Sequence, residues 1–153
     1  MNDRYLYRGK RIDTGEWVEG SLVTGVFFRL GQEIPYMFCP NLADYDCFED
    51  FSEENGIFEV DPSTICQCTG LRDKNGKLIW ENDILHNGNY FVVKWNAPCA
   101  RFDIVLNNLH NIPIGKWEPM ICDWKNNDFK EYRKAVDYEV IGNKFDNPEM
   151  LEV

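Results

Sequence analysis

The stretch TGLRDKNGKLIWENDIL at residues 69–85 constrains the fold most, because it alternates short apolar runs with tight-turn signals. Within it, Asp73-Lys74-Asn75-Gly76 predicts a two-residue hairpin turn, since Asn-Gly tolerates a positive φ. Asn87-Gly88 repeats the signal before the apolar run YFVVKW (90–95). Short strands joined by tight turns predict a small β-barrel, whose closure removes exposed sheet edges.

The N-terminal part of the chain also has hairpin patterns. YLYRGKRIDTGEWVEGSLV (5–23) predicts two strands joined by a turn at Asp13-Thr14-Gly15. GVFFRL (25–30) and EIPYMF (33–38) predict a second strand pair around Gly31-Gln32. We therefore expect a β-rich N-terminal region.

Two segments have helical patterns. Residues 41–56 carry large apolar side chains at a spacing of three, and Asn41 is placed to cap a short acidic helix. Residues 123–137 predict a second short helix, whereas Pro113, Gly115 and Pro119 leave 107–123 without a clear pattern. RFDIVL (101–106) and YEVIGNKF (138–145) predict further strands. The expected class is mainly β with minor α.

The dipeptide Asp61-Pro62 indicates a joint in the chain, because proline removes a backbone donor and favours an extended residue before it. It predicts an N-terminal β-hairpin subdomain at 1–60 and a barrel domain at 61–153.

The charge of the chain limits its partners. A formal net charge of −10 on 153 residues disfavours nucleic acid and anionic lipid, both of which bind clustered Lys and Arg. No apolar run approaches the ~20 residues of a membrane span, and MNDRYLYRGK is not a secretory signal. We expect a cytoplasmic protein that does not bind membranes, with its six cysteines reduced.

The candidates for metal binding or catalysis lack a motif. Cys66-x-Cys68 has one residue between its thiols, and neither His86 nor His110 lies at a matching spacing. No nucleophile signature surrounds Cys99 or Cys122. We predict no cofactor, no metal and no catalytic residue. Because carboxylates are abundant, a metal-dependent enzyme acting on nucleic acid stays open as an alternative.

Single residues suggest structural roles or an interaction surface. Asp83 can accept backbone N–H groups, so with Asn75 and Gly76 it is predicted to fix a turn. Trp17, Trp80 and Trp95 fall in predicted strands and are expected in the core or an interface. The candidate interaction surface combines two tryptophans of the irregular region with an acidic run: Trp117, Trp124, Asp44, Asp46, Glu49, Asp50, Glu53 and Glu54. The run is either a solvated face or a mimic of nucleic acid.

Three segments together resemble the YopX family, small proteins of bacteriophages and prophages: YRGKRIDTGEWVEGSL, VDPSTICQCTGLRDKNGKLIWENDIL and YEVIGNKFDNPEML. The resemblance implies a β-rich N-terminal region, a C-terminal SH3-like small barrel and a tendency to self-associate. It also implies that the protein is located in the cytoplasm of a bacterial host. It implies no catalytic residue. Asn82 stands where the family usually has glycine, and asparagine also tolerates left-handed geometry.

These observations predict a non-catalytic protein-interaction module. The expected partners are further copies of the chain, through its N-terminal β-structure, and a host or phage protein. Direct nucleic-acid binding is a second alternative, through Lys125, Lys130, Arg133 and Lys134.

Overall fold

A computed structural model describes residues 3–40, 56–106, 110–115 and 133–152. The chain forms two compact units, Met1–Cys68 and Thr69–Val153. This division falls later in the chain than the joint predicted at Asp61-Pro62.

The described residues form twelve strands. They are β1 (Tyr7–Lys10), β2 (Trp17–Arg29), β3 (Gln32–Phe38), β4 (Ile57–Glu59), β5 (Cys66–Arg72), β6 (Leu78–Trp80), β7 (Asp83–His86), β8 (Tyr90–Asn96), β9 (Arg101–Leu106), β10 (His110–Gly115), β11 (Arg133–Lys134) and β12 (Glu139–Asn143). The helical segments in these ranges are 3-10 turns of three or four residues: Asp3–Tyr5, Pro62–Thr64, Ala97–Cys99, Ala135–Asp137 and Pro148–Leu151. The prediction of a mainly β protein is confirmed.

In the first unit the strand order is β4-β3-β2-β1-β5. β1 and β2 pair antiparallel, which confirms the hairpin predicted over 5–23. The residues after β1 and β4 also meet, because the Ile12 amide donates to the Glu59 carbonyl at 3.1 Å and the Asp61 amide to the Lys10 carbonyl at 2.8 Å. Strands β1 to β4 therefore close on themselves around a small core.

That core contains Val18, Met37, Cys39, Phe58 and Val60, all buried. Strands β2 and β3 approach each other closely at Gly20. A β-carbon added to Gly20 would lie 2.0 Å from the Phe38 carbonyl oxygen, so the packing excludes any side chain at this position.

The second predicted hairpin is present with a shifted turn. Arg29 pairs with Gln32, which places the turn at Leu30-Gly31, one residue before the predicted Gly31-Gln32. β2 is also one strand of 13 residues where two were predicted, although its register shifts between Val23 and Phe27.

The second unit contains the strand order β11-β10-β9-β8-β7-β12, and β6 pairs with the end of β5. Within the sheet β11-β10-β9-β8-β7-β12, every neighbouring pair is antiparallel except β10 with β11, which is parallel. Its core is aliphatic and aromatic: Ile79, Leu85, Phe91, Val93, Phe102, Ile104, Ile112, Ile114, Ala135, Tyr138 and Val140.

The predicted irregular and helical regions differ from expectation where they are described. β10 lies in 107–123, where no element was predicted. Residues 133–137 form β11 and a 3-10 turn, so a helix there is wrong. The rest of that helix, at 123–132, and nearly all of the helix predicted at 41–56 lie outside the described residues.

Candidate interaction surface

The end of the β2–β3 hairpin forms an exposed arm, which we define as residues 24–33. Every residue of the arm is exposed except Phe27, which is half-buried. The Phe27 ring packs against Tyr36, with 4.5 Å between ring centroids. A two-stranded ribbon has marginal stability by itself, so this aromatic contact is a local support for the arm.

Three large apolar side chains of the arm are open to solvent. Val26 is 57% exposed, Phe28 61% and Leu30 100%. Val26 and Phe28 lie on either side of the half-buried Phe27 in β2. Clustered exposed apolar groups mark interaction sites more often than single ones do.

Leu30 is held in an unfavourable backbone conformation. Its φ is 52°, and the φ of Gly31 is 79°, so the tip is a two-residue turn with both residues left-handed. Asparagine, aspartate or glycine suits the first position of such a turn, whereas leucine is disfavoured by its β-carbon. Neither backbone preference nor burial explains leucine here.

The charges of the arm are already engaged within the first unit. The arm holds one basic and one acidic residue, Arg29 and Glu33. Arg29 Nη2 lies 3.1 Å from Glu59 Oε2, and Glu33 Oε1 accepts the backbone N–H of Gly25. The arm is thus a neutral, apolar projection on a chain with a net charge of −10.

A groove of about 320 Å³ lies beside the tip of the arm. Its apolar lining comes from the arm, the loop after β1 and the chain around β4: Ile12, Leu30, Ile34, Pro35, Val60 and Pro62. Arg29, Gln32, Glu33 and Glu59 supply its polar groups. The volume suits a few side chains better than a large ligand.

The model of the YopX family, described as YopX protein, matches residues 6–152. The chain belongs to the YopX family. A search of the curated proteins finds no significant match.

The predicted structural turn of this YopX-family chain is present in altered form. The Gly76 amide donates to the Asp73 carbonyl and the Asp73 amide to the Lys77 carbonyl, enclosing three residues rather than two. Gly76 has a φ of 80°, and Asn75 is not among the described residues with positive φ. This geometry matches a three-residue hairpin loop with a left-handed glycine.

The Asp73 carboxylate connects this turn to β12. Oδ1 accepts the amides of Asn75 and Lys77, and Oδ2 accepts the amide of Val140 at 2.9 Å. Burial raises the pKa of Asp73, but the hydrogen bonds from Val140, Lys77 and Asn75 and the charge of Lys77 outweigh it, so the pKa lies below its ordinary value. The carboxylate is a structural anchor that the sequence pattern did not reveal.

Asp83 accepts a backbone amide within the predicted turn. It is buried, and its Oδ2 accepts the Trp80 amide at 2.8 Å. Asn82, which replaces the usual family glycine, has a φ of 66°. The predicted tolerance of left-handed geometry is confirmed.

The three strand tryptophans have different environments. Trp80 is buried in the second unit, and Trp17 is half-buried under the Arg8 guanidinium, which lies 4.7 Å from the ring centroid. Trp95 is 41% exposed and packs edge-on against Phe102. Of the three, Trp80 is buried in a core, and an interface role for Trp17 and Trp95 stays a prediction.

The described thiols differ in exposure. Cys39, Cys66 and Cys68 are buried, and Cys99 is exposed. Burial, with the charge of Glu19, raises the pKa of the Cys39 thiol to about 11, which suppresses the reactive thiolate. In the described ranges no group of three or more His, Cys, Asp or Glu side chains is placed to hold a metal ion.

The residues predicted as the interaction surface lie outside the described ranges: Trp117, Trp124, Asp44, Asp46, Glu49, Asp50, Glu53 and Glu54. Lys125 and Lys130 do as well. The arm residues Val26, Phe28 and Leu30 were missed as a surface. The sequence signal was leucine before Gly31, at a turn position where asparagine or glycine is usual. Within the described ranges, none of the helical segments has the length and apolarity that crossing a bilayer requires.

Proposed function

We propose that this YopX-family chain is a non-catalytic protein-interaction module of phage or prophage origin. The observation that carries the proposal is the arm, with Phe28 61% and Leu30 100% exposed. Apolar groups at the centre of an interface contribute much of its binding energy, whereas exposed in a monomer they favour aggregation.

The proposal includes self-association and a second partner, a host or phage protein. The first unit, Met1–Cys68, is near the size at which a single core is marginal. A contact that covers the arm removes apolar surface from water and adds to this limited stability. The expected SH3-like barrel in the second unit is a common recognition scaffold, and it belongs to the same proposal.

Charge supports protein over nucleic acid as the partner. Phosphate backbones bind clustered Lys and Arg, and the chain has 16 of these residues against 26 Asp and Glu. Glu59 and Asp61, the last two residues of the predicted acidic run, are both held within the first unit: Glu59 pairs with Arg29, and Asp61 accepts the Ser63 amide. Mimicry of nucleic acid would depend on the remaining acidic residues of that run.

A capture experiment tests the proposal. The tagged full chain is incubated with lysate from phage-infected bacteria, and retained proteins are compared with those held by the Phe28→Ser/Leu30→Asn double variant. We expect the native chain to retain a discrete protein in stoichiometric amount and the variant to lose it. Retention of nothing above background would contradict a second protein partner.

Calorimetry and gel shift examine the alternatives. Titration with Mg²⁺, Mn²⁺ or Zn²⁺ that gives saturable heat would favour the metal-dependent enzyme. A DNA or RNA shift at low salt that disappears at high salt would favour electrostatic binding of nucleic acid.

A further inference from the structure

We propose that Asn87 is a site of spontaneous deamidation, and that the fold protects Asn75 from the same reaction. Both residues precede a glycine in an exposed hairpin turn, Asn75-Gly76 between β5 and β6 and Asn87-Gly88 between β7 and β8. A following glycine has no side chain to shield its backbone nitrogen, which is the group that attacks. The two turns therefore share a reactive dipeptide and differ in the contacts that hold it.

The reaction is intramolecular and consumes one water molecule. The Gly88 amide loses its proton to solvent, and its nitrogen attacks the side-chain carbonyl carbon of Asn87. The side-chain nitrogen takes a proton and leaves as ammonia, which gives a five-membered succinimide ring. Water then opens the ring at either carbonyl group, so the products are aspartate and isoaspartate. Each event replaces a neutral amide with a carboxylate that is ionised at neutral pH.

Both reacting groups of the Asn75-Gly76 turn are engaged. The Gly76 amide donates to the Asp73 carbonyl at 3.0 Å, so the attacking nitrogen belongs to the hydrogen bond that closes the turn. The Asn75 side chain hydrogen-bonds the Glu139 carboxylate on β12, whose Oε2 also lies 2.6 Å from Lys74 Nζ. Formation of the succinimide requires both contacts of the dipeptide to break. The turn must therefore open before Asn75 reacts.

The Asn87-Gly88 turn leaves the same two groups accessible. Asn87, Gly88 and Asn89 are exposed, and the Asn87 amide donates to the Asn89 carbonyl at 3.2 Å. Within the described ranges, neither the Gly88 amide nor the Asn87 side chain has a hydrogen-bond partner. The strands beside the turn stay paired, because His86 lies opposite Tyr90 with 5.2 Å between their ring centroids. The turn can thus rearrange without separation of β7 from β8.

Deamidation would change the charge and the geometry of the second unit at this turn. A carboxylate at position 87 adds one negative charge to a chain whose net charge is −10. Isoaspartate also directs the main chain through the side-chain carbon, which lengthens a three-residue turn and disfavours the pairing of His86 with Tyr90. The modification is therefore a time-dependent change confined to the end of the β7–β8 hairpin.

Peptide mass spectrometry of the full chain tests the proposal. The native protein is incubated at mildly alkaline pH, and deamidation is followed separately at Asn75, at Asn87 and at Asn55, which lies outside the described residues. We expect Asn87 to react about tenfold faster than Asn75, which corresponds to about 1.4 kcal/mol for opening of the protected turn. In denaturant the two rates should converge, because both asparagines precede glycine.

Variants of the second unit separate protection from local sequence. Glu139→Ala removes the contact of the Asn75 side chain, and Asp73→Ala weakens the turn; each should raise the rate at Asn75 relative to that at Asn87. Glu149→Ala, at an exposed carboxylate of the same unit, should leave this ratio unchanged. Equal rates in the folded native chain would overturn the proposal. So would an Asn87 that stays intact while the unfolded chain reacts, or a ratio that neither Glu139→Ala nor Asp73→Ala alters.

Discussion

Two hairpin turns of this YopX-family protein contrast in how they are held. The turn at Asp73–Lys77 is fixed by a buried carboxylate that accepts three backbone amides, one of them from Val140 on another strand. The turn at Leu30-Gly31 has a leucine in a left-handed conformation and a fully exposed side chain. The first turn has the residues that its geometry requires, and the second does not.

The comparison of the two turns distinguishes residues that stabilise the fold from residues that are available for binding a partner. Consistent local choices are the rule in stable folds, and departures from it concentrate at functional sites. The Asp73 turn exposes Lys74, Asn75 and Gly76, which interact well with water. The arm exposes Phe28 and Leu30, which do not. Changes at the first turn should therefore alter stability, and changes at the second should alter association.

Removal of the Asp73 carboxylate should have the largest effect. We expect Asp73→Ala to lower the free energy of unfolding by about 3 kcal/mol, because the buried Val140 amide loses its acceptor and two turn amides lose theirs. Chemical denaturation measures it. Asp13→Ala is the control, since Asp13 also accepts a turn amide, from Thr14, but is exposed to solvent, so its removal should cost much less than that of Asp73. Equal losses would contradict the anchoring role.

Acid should weaken the Asp73 turn. The folded pKa of Asp73 lies below its ordinary value of 3.8, so protonation favours the unfolded chain. This contribution is complete above pH 3.8 and is lost as the pH falls toward the folded pKa. Glu139 and Asp13 shift in the same direction, so the informative quantity is the difference between native protein and Asp73→Asn. We expect the urea midpoint of the variant to fall less on acidification; parallel curves would refute this.

Gly76→Val should have a moderate effect. Gly76 has a φ of 80°, which a β-branched residue cannot adopt cheaply, and we expect a loss of about 1 kcal/mol or more. Lys77→Val, at an exposed neighbour without positive φ, should change stability by less than about 0.5 kcal/mol. Thermal unfolding compares the two, and an unchanged midpoint for Gly76→Val would mean that the turn tolerates valine.

Leu30→Asn should give the smallest effect, with the opposite sign. Asparagine accepts the left-handed conformation more readily, so we expect a gain of about 0.5 kcal/mol in the free energy of unfolding. The measurement uses protein dilute enough to exclude association. A loss of stability would show that Leu30 supports the fold of its own chain, and the contrast between the two turns would disappear.

Local patterns predicted what short-range contacts determine. The Trp80–Asp83 hydrogen bond and the left-handed Asn82 follow from three or four adjacent residues. The Asp73–Val140 hydrogen bond spans 67 residues, and no pattern near Asp73 indicates it. β10 was missed because Pro113 and Gly115 disfavour strands, whereas tertiary pairing with β9 prevails there.

The arm was missed for a different reason. The sequence pattern predicts Leu30 at the end of a strand and the turn one residue later, which gives no sign of its left-handed backbone. Hydrophobic residues in strands are expected to be buried, and the pattern GVFFRL does not tell which of them remain exposed. Exposure is a property of the finished fold.

Two of the described thiols differ in a way that makes local opening measurable. Cys39 is buried in the core of the first unit, and Cys99 in the second unit is exposed to solvent. A thiol reagent under native conditions should modify Cys99 at once and reach Cys39 only when the first unit opens. The modification rate of Cys39, resolved by mass spectrometry, therefore reports the opening free energy of the unit that carries the arm.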